Sequence, residues 1–198
     1  APLTELAQGE TGHFWPSVLP DGRHVVYLAW SEDAANRVLY AGTLGSKERT
    51  RLVAMESNPV YAPGYLFFHR KATLFAQPFD AKQLRFTGDP AHVADEVSSG
   101  ANGRGNFAVS QNGVLLYFQG VGSAGRGRAG QEQFGWMRGR SGGIDAGSYG
   151  DMDLSPDGKL IAITKQDAGA PTADIFVIDW EKSVSHKVTS DPGDAVDP

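Results

Sequence analysis

Cysteine is absent from the 198 residues, which excludes disulfide staples, thiolate zinc sites and a cysteine nucleophile. That absence fits a periplasmic or extracellular location. No apolar run approaches the roughly 18 residues that a membrane-crossing helix requires, so direct membrane insertion is not expected. No secretory leader is visible either. Basic residues are outnumbered, 18 against 23 acidic, and the net charge of −5 argues against a nucleic-acid partner. The five histidines show neither H-x-x-x-H nor H-E-x-x-H spacing, so no metal is expected and the histidines are read as strand-end or surface groups. Helical signals are scarce. Windows such as 32–38 and 81–84 are too short to be more than a loop or a turn.

What the chain has instead is glycine, 25 residues of it, and a phrase that returns in register. Ser155-Pro156-Asp157-Gly158 leads into Lys-Leu-Ile-Ala-Ile-Thr164; Leu19-Pro20-Asp21-Gly22 leads into Arg-His-Val-Val-Tyr-Leu28; Ser110-Gln111-Asn112-Gly113 leads into Val-Leu-Leu-Tyr-Phe118. Ala62-Pro63-Gly64 before Tyr-Leu-Phe-Phe68 is a degenerate copy. Asp-Gly and Asn-Gly suit hairpin turns because both residues tolerate positive φ. The turn glycines are spaced by 42, 49 and 45 residues, a period that with several short strands per unit marks a radial β-repeat. The fold class predicted is all-β, a β-propeller, partial or completed by oligomerisation, with about four four-stranded antiparallel blades.

The units run 13–57, 58–105, 106–150 and 151–198, with 1–12 as the outer strand of a preceding unit, all in one propeller segment. Strands are predicted near 13–19, 23–30, 37–43 and 49–54; 59–61, 65–70, 73–79 and 92–95; 106–110, 114–119 and 133–138, with a weak fourth around Ile144; and 151–155, 160–165, 174–180 and 186–189. The second strand of each unit is a nearly unbroken apolar run, which indicates burial on both faces, as in a blade between two others. Pro16 and Pro198 occupy similar contexts four units apart, so the chain is expected to be a piece of a longer array. Blades at its two ends would each present an apolar face, and self-association completing the ring is one expected consequence.

Two overlapping G-x-G-x-x-G matches, 120–125 and 125–130, lack the following helix that dinucleotide binding needs, and no cofactor is expected. They read as a loop over 120–132. Gly139-Arg-Ser141-Gly-Gly143 imitates a nucleophile elbow, but nothing helical follows Ser141 and only His186 lies downstream, so no catalytic residue is assigned. Asp191, Asp194 and Asp197 lack the ligand count of a calcium loop. Arg126, Arg128, Arg138 and Arg140 cluster around Phe134 and Trp136, and a solvated loop explains them better than a binding stripe does. Trp15, Trp136 and Trp180 are assigned to packing between blades.

At the Ser-Pro-Asp-Gly phrase and the strand Asp174-Ile-Phe-Val-Ile-Asp179 the chain resembles the TolB-like β-propeller repeat. Thr73-Leu-Phe-Ala-Gln-Pro-Phe-Asp80 and Leu84-Arg-Phe-Thr-Gly-Asp-Pro90 look like the propeller region of some bacterial membrane-anchored serine/threonine kinases. The resemblance implies a non-catalytic, extracytoplasmic sensor or scaffold module for a protein, a peptide or a small polar ligand. The alternative it leaves open is the substrate-gating propeller of a prolyl-oligopeptidase-like serine peptidase, whose catalytic domain this sequence lacks. An enzyme built on the propeller with paired carboxylates is a third class, with no assignable pair. Any ligand is expected on the face formed by loops 31–36, 97–105, 120–132 and 166–172. The candidate binding residues there are Trp30 at the rim, Glu32 and Asp33 on one loop, and Arg126 and Arg128 on another.

Overall fold

A computed structural model describes residues 4–100, 102–119, 128–133, 148–167 and 170–189. They fall into two compact units, Ala1–Ala94 and Asp95–Pro198. All strand pairs are antiparallel, and no α-helix occurs among the described residues.

In the first unit β1 (Gly12–Val18), β2 (His24–Trp30), β3 (Val38–Thr43) and β4 (Arg49–Ala54) form a meander in chain order. A second sheet follows as β5 (Val60–Ala62), β6 (Tyr65–Arg70), β7 (Thr73–Asp80) and β8 (Arg85–Phe86). The long β7 shares its outer edge between two short partners, Phe79–Asp80 with β8 and Leu74–Ala76 with β9 (Ala91–Ala94). The second unit holds β10 (Phe107–Val109), β11 (Val114–Gln119) and β12 (Arg128–Gln133) in one sheet. Its other sheet is β13 (Ser148–Leu154), β14 (Leu160–Gln166), β15 (Asp174–Asp179) and β16 (Val184–Lys187). The stretch 97–106 packs with this unit: Ser99 bridges to Gly105, and the Ser98 amide donates to Phe118 O.

The four turn glycines all sit at positive φ, +64° at Gly22, +86° at Gly64, +87° at Gly113 and +67° at Gly158. The side chains around them divide the work differently in each copy. In the fourth blade Ser155 Oγ accepts from the Leu160 amide and donates to Asp157 Oδ1. Ser110 repeats this, accepting from Val114 N and donating to Asn112 Oδ1. The first blade has Leu19 in place of that serine, and there Asp21 Oδ1 accepts from both the Arg23 and His24 amides. The donors are satisfied either way, which is why the turn survives the substitution.

Each unit buries the facing sides of its two sheets. Val26 and Leu28 meet Leu66 and Phe68 in the first; Val114, Leu116 and Phe118 meet Ile161 and Ile163 in the second. Each such side chain removed from water contributes roughly 1.5–3 kcal/mol. Burial on both faces holds for the runs in β2, β6 and β11, but β14 departs from it. Counted from the turn glycines, Leu160, Ala162 and Thr164 stand where β11 has Leu115, Tyr117 and Gln119. Leu160 is 41% exposed, and with Ala162 and Val177 it lines an open hollow of about 290 Å³. The Thr164 hydroxyl, though buried, has no hydrogen-bond partner among the described residues. Thr164→Val, which keeps the shape and removes the unpaired hydroxyl, is expected to stabilise the chain by about 1 kcal/mol in urea unfolding.

Three expectations need correction. The third strand of the third blade includes Arg128–Gln133, most of it in the segment assigned to a loop; of the expected 133–138 only Gln133 is among the described residues. All six residues of β11 pair with it, from Val114↔Gln133 to Gln119↔Arg128, giving the buried β11 backbone partners that a loop could not supply. Gly130, the last glycine of the second G-x-G-x-x-G match, lies opposite Tyr117 in that ladder. Residues 4–11 form no strand; Gly9 at φ +87° and a hydrogen bond from Glu10 N to Ala7 O turn them back on the first blade. Trp180 follows β15 instead of lying in it, and its indole N–H donates to Gly158 O at 2.7 Å. Residues 134–147, with Trp136, Ser141 and Ile144, and the aspartates beyond residue 189 lie outside the described residues.

Candidate functional site at the end of the first blade

The β1 ladder shifts register between Phe14, opposite Leu28, and Ser17, opposite Val26. Trp15 and Pro16 therefore face the single residue Tyr27, a β-bulge. Proline has no N–H for the ladder, so the bulge is where it can be accommodated. The bulge holds Trp15 at φ +50°, a conformation that is costly for a bulky residue. It also gathers three rings. Trp15 and Phe14 lie 5.9 Å apart between centroids, and Trp30 meets them edge-on at 6.0 and 5.9 Å.

The loop after Trp30 is held from within. Asp33 Oδ1 accepts from Ala35 N and caps a single 3-10 turn, Ala34–Asn36, while Asp33 Oδ2 accepts from Asn36 Nδ2. Arg37 places its guanidinium 3.5 Å from the Trp30 ring centroid, and its Nε donates to Ser31 O at 2.9 Å. Such a stacked guanidinium contributes roughly 0.5–1 kcal/mol at an exposed site.

Of the five residues singled out by sequence, Trp30, Glu32 and Asp33 come together here. Trp30 is half-buried under Arg37 and the other two rings; the accessible ring is Phe14, 43% exposed. Glu32 and Asp33 are exposed, but Asp33 also serves as the turn cap. Arg128 lies in β12 of the second unit, and Arg126 lies outside the described residues. Phe14, Trp15 and Arg37 were not singled out as binding residues. Trp-Pro inside a strand was the available signal for the first two; nothing in the sequence marks Arg37.

A second constellation lies on the opposite side of the same sheet. Tyr27 alternates with Val26 and Leu28, and so faces away from the core they share. Its ring lies 4.8 Å from His13 and stacks at 6.2 Å on Tyr40, over which Arg49 sits at 4.0 Å. Glu10 Oε2 accepts from Ala7 N at 2.8 Å, His13 Nε2 at 3.0 Å and Arg49 Nη1 at 3.0 Å. Glu10 Oε1 takes Arg49 Nη2 at 2.8 Å. Burial pushes this carboxyl up, but the hydrogen bonds from Arg49, Ala7 and His13 outweigh it and hold its pKa at about 2. Burial raises the Tyr27 phenol, and Glu10 raises Arg49. Beside this cluster is a cavity of about 260 Å³, lined by Tyr27, Thr43, Lys47, Arg49 and the backbone-turning segment 4–7. No group of three or more metal-ligating side chains occurs among the described residues.

Neither a family model nor a curated protein matches the chain. Solved structures do. TolB from Acinetobacter baumannii is 17% identical with a TM-score of 0.63, over 90% of this chain and 43% of that one. A puromycin hydrolase is 17% identical with a TM-score of 0.63, over 95% of this chain and 30% of that one. The β-propeller domain of the Trilobed protease from Pyrococcus furiosus is 9% identical with a TM-score of 0.52, over 90% and 69% of the two chains. The chain thus has the TolB-like β-propeller fold and spans less than half the length of the first two. No helix among the described residues is long and apolar enough to cross a membrane.

Proposed function

We propose that this propeller segment is a non-catalytic recognition module, the sensor part of a larger bacterial signalling protein, working on the extracytoplasmic side of the membrane. The observation that carries the reading is the end of the first blade. There an exposed aromatic ring, Phe14, stands over a strained bulge beside a loop that Asp33 and Arg37 hold in one conformation. A pre-ordered loop loses little freedom on binding, so the surface suits recognition of a protein, a peptide or a small polar ligand. The Ala76-Gln77-Pro78-Phe79-Asp80 phrase supports the link to kinase-attached propellers.

The test is to capture a partner with the wild-type chain and measure its affinity for Phe14→Ala combined with Glu32→Lys. Trp30 and Asp33 are left in place because they hold the loop. The expected result is binding weakened at least about tenfold, or 1.4 kcal/mol. Unchanged affinity with an intact circular dichroism spectrum removes this face. The second reading, a substrate-gating propeller of a serine peptidase, is favoured by the similarity to puromycin hydrolase. An α/β-hydrolase domain in the parent polypeptide would select it; a transmembrane kinase would select the first.

A further inference from the structure

The Glu10 constellation resembles a ligand site with its ligand already in place. A guanidinium fork and an imidazole converge on one carboxylate, to which the strap adds its own Ala7 amide; the first two are donors of the kind used to capture free carboxylates. The seat is rigid: Arg49 rests on Tyr40, which stacks on Tyr27, which packs on His13. Its occupant comes from another segment. Glu10 ends a strap, residues 4–10, whose other ties are slight. Residues 5–9 are exposed, Leu6 at 56%. The Lys47–Glu5 pair has side chains 81% and 66% exposed, so solvent screens it. One further tie, Thr4 Oγ1 to His13 Nδ1 at 2.7 Å, holds the start of the strap. Beneath the strap is the cavity of about 260 Å³, room for a small molecule or a peptide end.

We propose that the Arg49–His13 seat is a carboxylate-binding site occupied in cis by Glu10, and that an incoming carboxylate, from a small acid or a peptide, takes it when the strap lifts. Glu10 then acts as a built-in competitor. Its attachment gives it a high effective concentration, so the wild-type chain binds external carboxylates weakly. A simple structural clamp has no such property, because nothing replaces it.

The probes are sodium acetate and the blocked peptide acetyl-Ala-Glu-Ala-amide, with sodium chloride at matched ionic strength as control. The readouts are thermal midpoint and the NMR signals of the His13 ring. Glu10→Ala removes the atoms that acetate would replace. Acetate and the peptide should each raise its midpoint saturably and shift His13, with at least tenfold tighter binding than to wild type. Chloride should do neither, and Glu10→Ala with Arg49→Ala should not respond. Acetate alone acting would assign the seat to small acids; both acting would extend it to peptides. If Glu10→Ala does not fold, Glu10→Gln keeps the side chain but weakens its hold, and should bind the peptide about tenfold more tightly than wild type. A folded variant that gives no saturable response to either probe, or the same response as the double variant, overturns the proposal.

Discussion

Gly158→Ala is expected to destabilise the protein by about 3 kcal/mol or more, and Gly22→Ala by only about 1 kcal/mol. The two glycines hold the same place in the repeat and nearly the same backbone, φ +67° and +64°. Their surroundings differ. A Cβ at Gly22 would meet nothing within 4 Å, whereas one at Gly158 would lie 2.6 Å from Val114 Cγ2, 2.8 Å from Asn112 Oδ1 and 3.0 Å from Ser110 Oγ. The crowding exists because the two turns of the second unit dock side by side. Gln111 N donates to Pro156 O at 3.1 Å, and Asn112 Nδ2 to Asp157 O at 2.6 Å. Trp180 closes the turn from the other side through its bond to Gly158 O. The first substitution therefore adds overpacking against Val114 and the neighbouring turn to the left-handed strain that both share. Urea unfolding midpoints for the two variants separate these contributions. Equal losses would mean that backbone strain alone fixes these glycines.

The repeat was legible because its determinants are local. A turn glycine at positive φ followed by an apolar run specifies one hairpin, and four hairpins at a regular spacing specify the blades. The degenerate Ala62-Pro63-Gly64 copy kept its place since proline and glycine suit the two central turn positions as well as Asp-Gly does. What failed was non-local. Whether 128–133 is strand or loop depends on β11 needing a partner along its full length, which Arg128 and Gly130 do not announce. The exposed Leu160 looks identical in sequence to a buried one, because burial on the second face is decided by what covers the sheet. At the candidate site, Trp30 was visible as the residue between strand and loop. Its stacking on Arg37 was not, since that contact depends on the path of the capped turn between them. Glu10 and Arg49 are farther still from any motif: they meet only because Gly9 folds the strap back over β4.

That long-range pair dictates a pH response which local turns cannot supply. The Glu10 carboxyl titrates at about 2 in the folded chain against an ordinary value of 4.5. Burial works against this, and the bonds from Arg49, the Ala7 amide and His13 prevail. A carboxyl depressed in the folded state binds its proton more readily once the chain unfolds. Its stabilising effect is then complete above pH 4.5 and disappears as the pH falls toward 2. Allowing for partial screening by solvent, the contribution should be about 2 kcal/mol at neutral pH. Other carboxylates, among them Asp21, Asp157 and Asp174, are depressed too, so the wild-type curve alone would not isolate Glu10. The difference between wild type and Glu10→Gln does. At pH 7 the variant should be less stable by that amount, and the two urea curves should converge between pH 4.5 and 2 because only the wild type has a carboxyl at position 10 to protonate there. Curves that coincide from pH 7 down through this window would show that the Arg49 fork holds the amide as firmly as the carboxylate, and that charge contributes nothing to closing the strap.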